Sequence, residues 1–120
     1  MTQKDKNLLL NDLSARLPYG VKGLTLGSKT CTLIMLMSDG MFKADTFVGH
    51  ITSGQFKPYL RPMSSMTEDE ENEYRAINCY EGLFPRNEEA LDYVLEHHLD
   101  FRGLIPMGLA LEAPNNMYKN

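Results

Sequence analysis

The chain lacks the features that mark secreted, membrane-spanning and disulfide-linked proteins. It has two cysteines in 120 residues, Cys31 and Cys79, and its longest apolar run covers only residues 33–37. A bilayer span needs about 20 consecutive apolar residues, and a secretory leader needs an apolar stretch of about 7–15. Two thiols far apart in the sequence are compatible with a reducing compartment. We therefore expect a cytoplasmic protein that does not contact a membrane.

The sequence also lacks the short motifs of common catalytic and cofactor sites. It contains no Walker A, GxGxxG, HExxH, CxxC, GxSxG or SxxK pattern. His97 and His98 are neighbours on a predicted helix, about 100° apart around its axis, so they do not converge on one metal ion. We interpret them as a surface pair near a helix C-terminus. We predict no catalytic residues, no metal site and no cofactor, although an enzyme with a dispersed active site is an open alternative.

Composition indicates one globular domain with unevenly distributed charge. Apolar residues make up 42% and charged residues 23%, which is typical of folded domains that build a core without metals or disulfides. Residues 1–60 carry a net charge of +3 and residues 61–120 a net charge of −7, which gives −4 for the chain. We interpret this as attraction between two halves of one fold or as solvated acids on helices. A dedicated basic binding face is the alternative.

The first half of the chain predicts a helix followed by an antiparallel meander. Leucines at helical spacing predict a helix over about residues 3–16, ended by Pro18. Three strand-like runs follow at 21–26, 30–37 and 41–48, with the middle run as the central strand. Asp39-Gly40 predicts a hairpin, because both positions of such a turn need positive φ. In the third run, alternation places Phe42 and Val48 on one face. Residues 56–60 are a candidate fourth strand, which Pro58 would confine to an edge.

The second half predicts two helices and a packed tail. Thr67 and Glu70 form a capping-box pattern that opens a helix to about residue 78, and Asn87 caps a second helix over about 88–99. We expect residues 115–120 to fray. The predicted fold is α+β: an N-terminal helix, a three- to four-stranded antiparallel meander, two helices and a packed C-terminal tail. It forms a single domain over 1–120, in which 1–60 holds the helix and meander and 61–120 is mostly helical.

A proline-containing connector, residues 57–67, joins the two halves. Its prolines favour extended backbone, and we expect it to be rigid and exposed. Tyr59, Arg61, Met63 and Met66 are candidate interaction residues, since tyrosine, arginine and methionine are enriched at interface cores. The partner would be another protein or a second copy of this chain. The alternative is that Tyr59, Leu60 and Met63 only attach the connector to the core.

Nucleic-acid binding is the second functional hypothesis. Basic residues fall in or just after the predicted sheet, with aromatic residues nearby, a combination used by single-strand binders. The pI of 5.3 and the absence of an RNP-like motif argue against it. The candidate contacts are Lys22, Lys29, Lys43, Lys57 and Arg61, with Tyr19, Phe42, Phe56 and Tyr59 as the aromatics.

Four segments resemble short proteins found in gut Bacteroidetes and in their phages and prophages. The segments are NDLSARLPYGV at 11–21, KPYLRPMSSMT at 57–67, HLDFRGLI at 98–105 and GLALEAP at 108–114. That family brings no assigned activity or site residues. The resemblance implies a cytoplasmic accessory protein linked to mobile elements. Together with the missing catalytic motifs, it favours a non-enzymatic interaction or regulatory module.

Overall fold

The fold is α+β, as predicted, and its sheet is larger than expected. The computed structural model describes residues 2–25, 29–51, 56–79 and 81–118. Its elements are α1 (Gln3–Arg16), β1 (Lys22–Thr25), β2 (Lys29–Leu36), β3 (Met41–Ala44), β4 (Val48–His50), β5 (Phe56–Leu60), α2 (Glu68–Asn78), α3 (Glu88–Glu96) and β6 (Leu111–Glu112).

Helix α1 covers the predicted residues and packs on one face of the sheet. The Thr2 hydroxyl accepts a hydrogen bond from the Asp5 amide at 3.1 Å, which caps the first turn. Leu9 and Leu13 are fully buried in one core with strand residues such as Leu33. We call the sheet face under α1 the inner face and the opposite side the outer face.

The sheet has six strands in the order β4-β3-β2-β1-β5-β6. All neighbours are antiparallel except β5 and β6, which pair in parallel through Tyr59 and Leu111. The predicted central position of β2 is confirmed. The expected fourth strand exists as β5, but the prediction that Pro58 confines it to an edge is wrong. Strand β6 pairs with β5 from Tyr59 onward, beyond the proline that cannot donate a ladder hydrogen bond.

A bulge in β2 decides which apolar side chains enter the core. The pairing of β2 with β3 shifts between Leu33 and Met35, so Ile34 is an extra residue in the ladder. Leu33 and Leu36 both pack in the core as a result. Ile34, the inserted residue, and Met35, just after it, are both exposed, at 52% and 48%.

The predicted hairpin is confirmed, with a different turn. Met37 N–H donates to the Met41 carbonyl at 2.8 Å, which closes a three-residue loop over 38–40. Gly40 has a φ of 95°, whereas Asp39 is outside the positive-φ region. The loop therefore needs one glycine and not two positive-φ positions. The Asp39 carboxylate accepts from the Met41 amide at 3.0 Å.

The prediction that Val48 shares a face with Phe42 is wrong, because the third strand-like run forms two strands, β3 and β4. Ala44 N–H donates to the Phe47 carbonyl at 2.7 Å, which turns the chain after β3. Asp45 fixes this turn to β2, since its carboxylate accepts from the Thr32 amide at 3.0 Å. Val48 then lies opposite Lys43 on the outer face, 60% exposed.

The two later helices form a second core beside the sheet. Buried residues from α2, α3 and the segment after α3 cluster there, and the connector methionines Met63 and Met66 pack against them. Helices α2 and α3 begin at the predicted caps, Thr67 and Asn87. The expected fraying of the tail is wrong over 115–118, where Tyr118 hydrogen-bonds to β1 and β5; Lys119 and Asn120 lie outside the described residues. No described helix is long and apolar enough to cross a bilayer.

Candidate functional site

The outer face of the sheet carries an apolar patch that none of the described helices covers. Its members come from the β2–β3 hairpin and from β4, where the bulge and the turn at Asp45 direct them away from the core. We call this set the apolar patch. It consists of Ile34, Met35, Met37, Met41 and Val48, which are 37–60% exposed. Contiguous exposed apolar side chains of this kind are typical of binding surfaces.

Lysines accompany the patch, and carboxylates are absent from the strands around it. Strands β1 to β5 contain Lys22, Lys29, Lys43 and Lys57, and no aspartate or glutamate. Lys43 lies in one cross-strand row between Met35 and Val48 on the outer face. Lys22 and Lys57 follow on the outer side of β1 and β5, where they alternate with buried residues. This surface therefore combines apolar side chains with positive charge.

Lys29, Phe42 and Phe56 do not lie on the outer face of the sheet. Lys29 begins β2 opposite the buried Thr25, so it lies at the end of the sheet and outside the outer-face rows. Phe42 and Phe56 are 2% and 1% exposed, and their ring centroids lie 5.2 Å apart inside the core. They are unavailable to stack on bases. Tyr59 is half-buried on the outer side of β5, between the buried Pro58 and Leu60.

Arg61 is occupied within its own fold. Its Nη1 and Nη2 donate to the two Glu70 carboxylate oxygens at 2.9 and 2.7 Å. Its other donors contact the hydroxyl and carbonyl oxygens of Ser65 at 3.3 and 3.2 Å and the His97 carbonyl at 3.4 Å. All five guanidinium N–H groups are thus used. The hydrogen bond from Arg61 lowers the pKa of Glu70 to about 2.

The connector is therefore less exposed than expected. Arg61, Pro62, Met63 and Met66 are all half-buried, and the two methionines pack against the second core. Of the four predicted interaction residues, only Tyr59 lies on the outer face. For Met63 this packing favours the alternative in which the side chain only attaches the connector to the core. Arg61 and Met66, which that alternative did not include, also contact the helical half of the chain.

A cleft of about 900 Å³ lies between the connector, the end of α3 and the tail. His98 lines it with its ring stacked on Tyr118, the centroids 3.6 Å apart. The surface-pair interpretation is wrong for His98, which is 8% exposed and has a φ of 59°. Burial, with a smaller contribution from the nearby Arg16 charge, lowers the pKa of His98 to about 4. The ring is therefore neutral at pH 7, and its Nδ1 has no hydrogen-bond partner among the described residues.

The cleft offers little chemistry to a charged ligand. Arg61 lines the cleft, but its guanidinium N–H groups are all used by Glu70, by the Ser65 hydroxyl and by backbone oxygens. The remaining charged side chains there are Glu96 and Glu112. Among the described residues, no group of three or more His, Cys, Asp or Glu is arranged to hold a metal ion. Cys31 and Cys79 are both free thiols, the first buried and the second exposed.

A buried ionic network connects α1 to the segment after α3, and sequence reasoning missed it. Asp12 accepts from Arg16 Nε at 2.7 Å and from Arg102 Nε at 3.0 Å. Asp12 and Arg16 are both fully buried. Arg16 Nη2 also donates to the Leu99 carbonyl at 2.7 Å. The i, i+4 spacing of Asp12 and Arg16, beside the buried leucines of α1, was the available signal.

Comparisons of the chain with protein-family models, with curated proteins and with solved structures found no match. The resemblance to proteins of gut Bacteroidetes and their phages therefore stays a prediction.

Proposed function

We propose that this protein is a non-enzymatic interaction module that binds a partner protein on the outer face of its sheet. The observation that carries the proposal is the apolar patch with Lys43 in its middle and no carboxylate in β1 to β5. An apolar surface of positive charge is complementary to a segment that presents both apolar and acidic side chains. We therefore infer that the partner presents a segment with both apolar and acidic side chains.

The flexible side chains of the patch support a role in binding. Met35, Met37 and Met41 contribute three of its five members, and methionine adapts to irregular partner surfaces because it is unbranched and polarizable. Tyr59 and Lys57 extend the same face across β5. A partner segment lying across the strands would contact methionines at one end and lysines along its length.

The same lysines would attract phosphate groups, but the structure gives less support to nucleic-acid binding. Arg61 is paired with Glu70, and the rings of Phe42 and Phe56 are in the core. Backbone-tracking sites need cations together with exposed rings. Tyr19 lies in the short turn after α1, so Tyr59 is the one aromatic residue of that hypothesis on the outer face with the lysines.

The proposal is tested with defined probes, because it specifies chemistry and no named partner. The first probe is a fluorescein-labelled peptide with alternating glutamate and valine. The matched control is the same peptide with lysine at every glutamate position, and a labelled oligothymidine measures phosphate attraction. Fluorescence anisotropy at about 0.15 M salt keeps screening at the physiological level, with a Debye length of about 8 Å.

We expect the glutamate peptide to bind at least about tenfold more tightly than the lysine peptide, a difference of about 1.4 kcal/mol. Equal binding of the two peptides would overturn the proposal. Tighter binding of the oligothymidine than of the glutamate peptide would replace it with the nucleic-acid hypothesis. Added salt further distinguishes peptide binding from nucleic-acid binding, since phosphate contacts weaken steeply with salt concentration.

A further inference from the structure

The turn end of the β2–β3 hairpin, together with the end of β4, brings two thioethers and an imidazole into one row. Met37 pairs with Met41 through the 2.8 Å hydrogen bond from its amide to the Met41 carbonyl. Met41 in turn lies directly opposite His50 on β4. Side chains that oppose each other on one face of an antiparallel pair have Cβ atoms about 4.5–5.5 Å apart. Met41 thus lies between Met37 and His50 and is within side-chain reach of each.

A fourth sulfur lies beside this row. Met35 lies in β2, and Met37 directly follows that strand and continues its pairing with β3, so side chains two residues apart share one face of the sheet. Met35, Met37 and Met41 are 48%, 52% and 37% exposed, so their sulfur atoms are accessible from solvent. Long unbranched side chains let the sulfurs of adjacent strands approach one another without backbone movement.

We propose that Met37, Met41 and His50 bind a soft monovalent metal ion of the Cu(I) class, with Met35 available as a further ligand. Thioether sulfur is a soft ligand that selects Cu(I), and imidazole nitrogen also suits copper. Thioether ligands carry no charge, which fits a monovalent ion in a region where Lys43 already contributes positive charge. One imidazole nitrogen is enough for coordination, since metal-binding histidines commonly use the other nitrogen in a hydrogen bond.

The row of Met37, Met41 and His50 does not suit hard cations. Ca²⁺ and Mg²⁺ need several oxygen ligands, and β2, β3 and β4 contain no carboxylate. The nearby Asp39 and Asp45 carboxylates accept hydrogen bonds from the backbone amides of Met41 and Thr32, both at 3.0 Å. The thioethers therefore make this site selective for soft metal ions. Methionine is not among the His, Cys, Asp and Glu side chains that form most metal sites.

The test uses Ag(I), which has the soft chemistry of Cu(I) without its oxidation. The protein carries Cys79→Ser, because an exposed cysteine sulfur is itself a strong soft ligand. Methionine ε-methyl groups are labelled with ¹³C and followed by NMR during titration. We expect the first equivalent of Ag(I) to shift the Met37 and Met41 methyl signals and to leave those of the packed Met63 and Met66 in place.

Substitutions then assign the ligands and separate this proposal from peptide binding. Met37→Leu with Met41→Leu should weaken Ag(I) binding by about tenfold or more, while Met63→Leu with Met66→Leu should leave it unchanged. Leucine preserves the apolar patch, so binding of the glutamate peptide should persist in both double variants. The metal proposal is overturned if Ag(I) shifts all methionines alike, occupies Cys31 first, or binds the Met37/Met41 double variant with unchanged affinity.

Discussion

The guanidinium of Arg61 faces the carboxylate of Glu70 in a two-point ion pair, with nitrogen–oxygen distances of 2.9 and 2.7 Å. Glu70 Oε1 also accepts from the Thr67 amide at 3.0 Å, which completes the capping box of α2. A single arginine thus joins the end of the sheet to the start of a helix. Both side chains are about one-fifth exposed, so solvent screens the pair only in part.

Arg61→Ala should lower the free energy of unfolding by about 2 kcal/mol, because it leaves the Glu70 carboxylate partly desolvated without its partner. Urea denaturation measures the change. The matched control is Arg75→Ala, which breaks the exposed i, i+4 pair with Glu71 and should cost less than about 0.5 kcal/mol. Equal costs for the two variants would show that the Arg61 pair has no special role.

Asp12→Asn should be more costly, by about 3 kcal/mol, because one carboxylate balances both Arg16 and Arg102. The amide keeps the shape but loses the charge, which leaves the fully buried Arg16 cation uncompensated. Asp92→Asn on the exposed surface of α3 is the control and should be nearly neutral. A melting temperature unchanged in Asp12→Asn would contradict the buried network.

Tyr118→Phe should lower the free energy of unfolding by about 1 kcal/mol. The Tyr118 hydroxyl accepts from the Lys22 amide at 2.8 Å and donates to the Tyr59 carbonyl at 2.7 Å, at the point where β1 and β5 separate. Burial raises the pKa of Tyr118 to about 12, so the hydroxyl retains its proton for that bond. Tyr19→Phe is the comparison. Equal losses of unfolding free energy in Tyr118→Phe and Tyr19→Phe would contradict the attachment of the tail through the Tyr118 hydroxyl.

Acid should destabilise the protein in two steps. The folded pKa of His98 is about 4, below its ordinary 6.5, so the unfolded chain binds more protons between those values and stability falls as pH drops from about 6.5 to 4. The folded pKa of Glu70 is about 2 against 4.5, so its contribution is lost as pH drops from about 4.5 to 2. Unfolding free energies measured from about pH 8 to about pH 2 trace both steps.

His98→Gln isolates the first step of this pH dependence. Glutamine cannot titrate, so the variant should lose the decline between pH 6.5 and 4 and keep the decline below pH 4.5. NMR of the wild-type protein should show the His98 ring neutral at pH 6. An unaltered pH profile in His98→Gln would show that another group causes the acid response.

Local signals in the sequence were enough for the helices and the hairpin. Thr67 and Glu70 form both bonds of their capping box, and α1 begins and ends where leucine spacing and Pro18 indicated. These features depend on residues three or four positions apart. The hairpin also followed from Asp39-Gly40, although only the glycine adopts positive φ.

Features that depend on distant partners were not predictable from the sequence. The outward position of Val48 follows from hydrogen bonds between Asp45 and Thr32, and that of Met35 from a bulge whose register is set by β3. Alternation alone assigns both residues to the wrong face. The burial of His98 likewise depends on Tyr118, which the sequence analysis expected to be frayed. The apolar patch could therefore not be predicted without knowledge of how the strands pair.

Binding of the glutamate–valine peptide to two single-charge variants tests the outer-face proposal most directly. Lys43→Glu and Lys4→Glu change the net charge equally, but Lys43 lies within the apolar patch and Lys4 is exposed on α1. The proposal predicts that Lys43→Glu weakens binding by at least about tenfold, or 1.4 kcal/mol, while Lys4→Glu changes it by less than about threefold. Equal losses in the two variants, or no loss in Lys43→Glu, would contradict it.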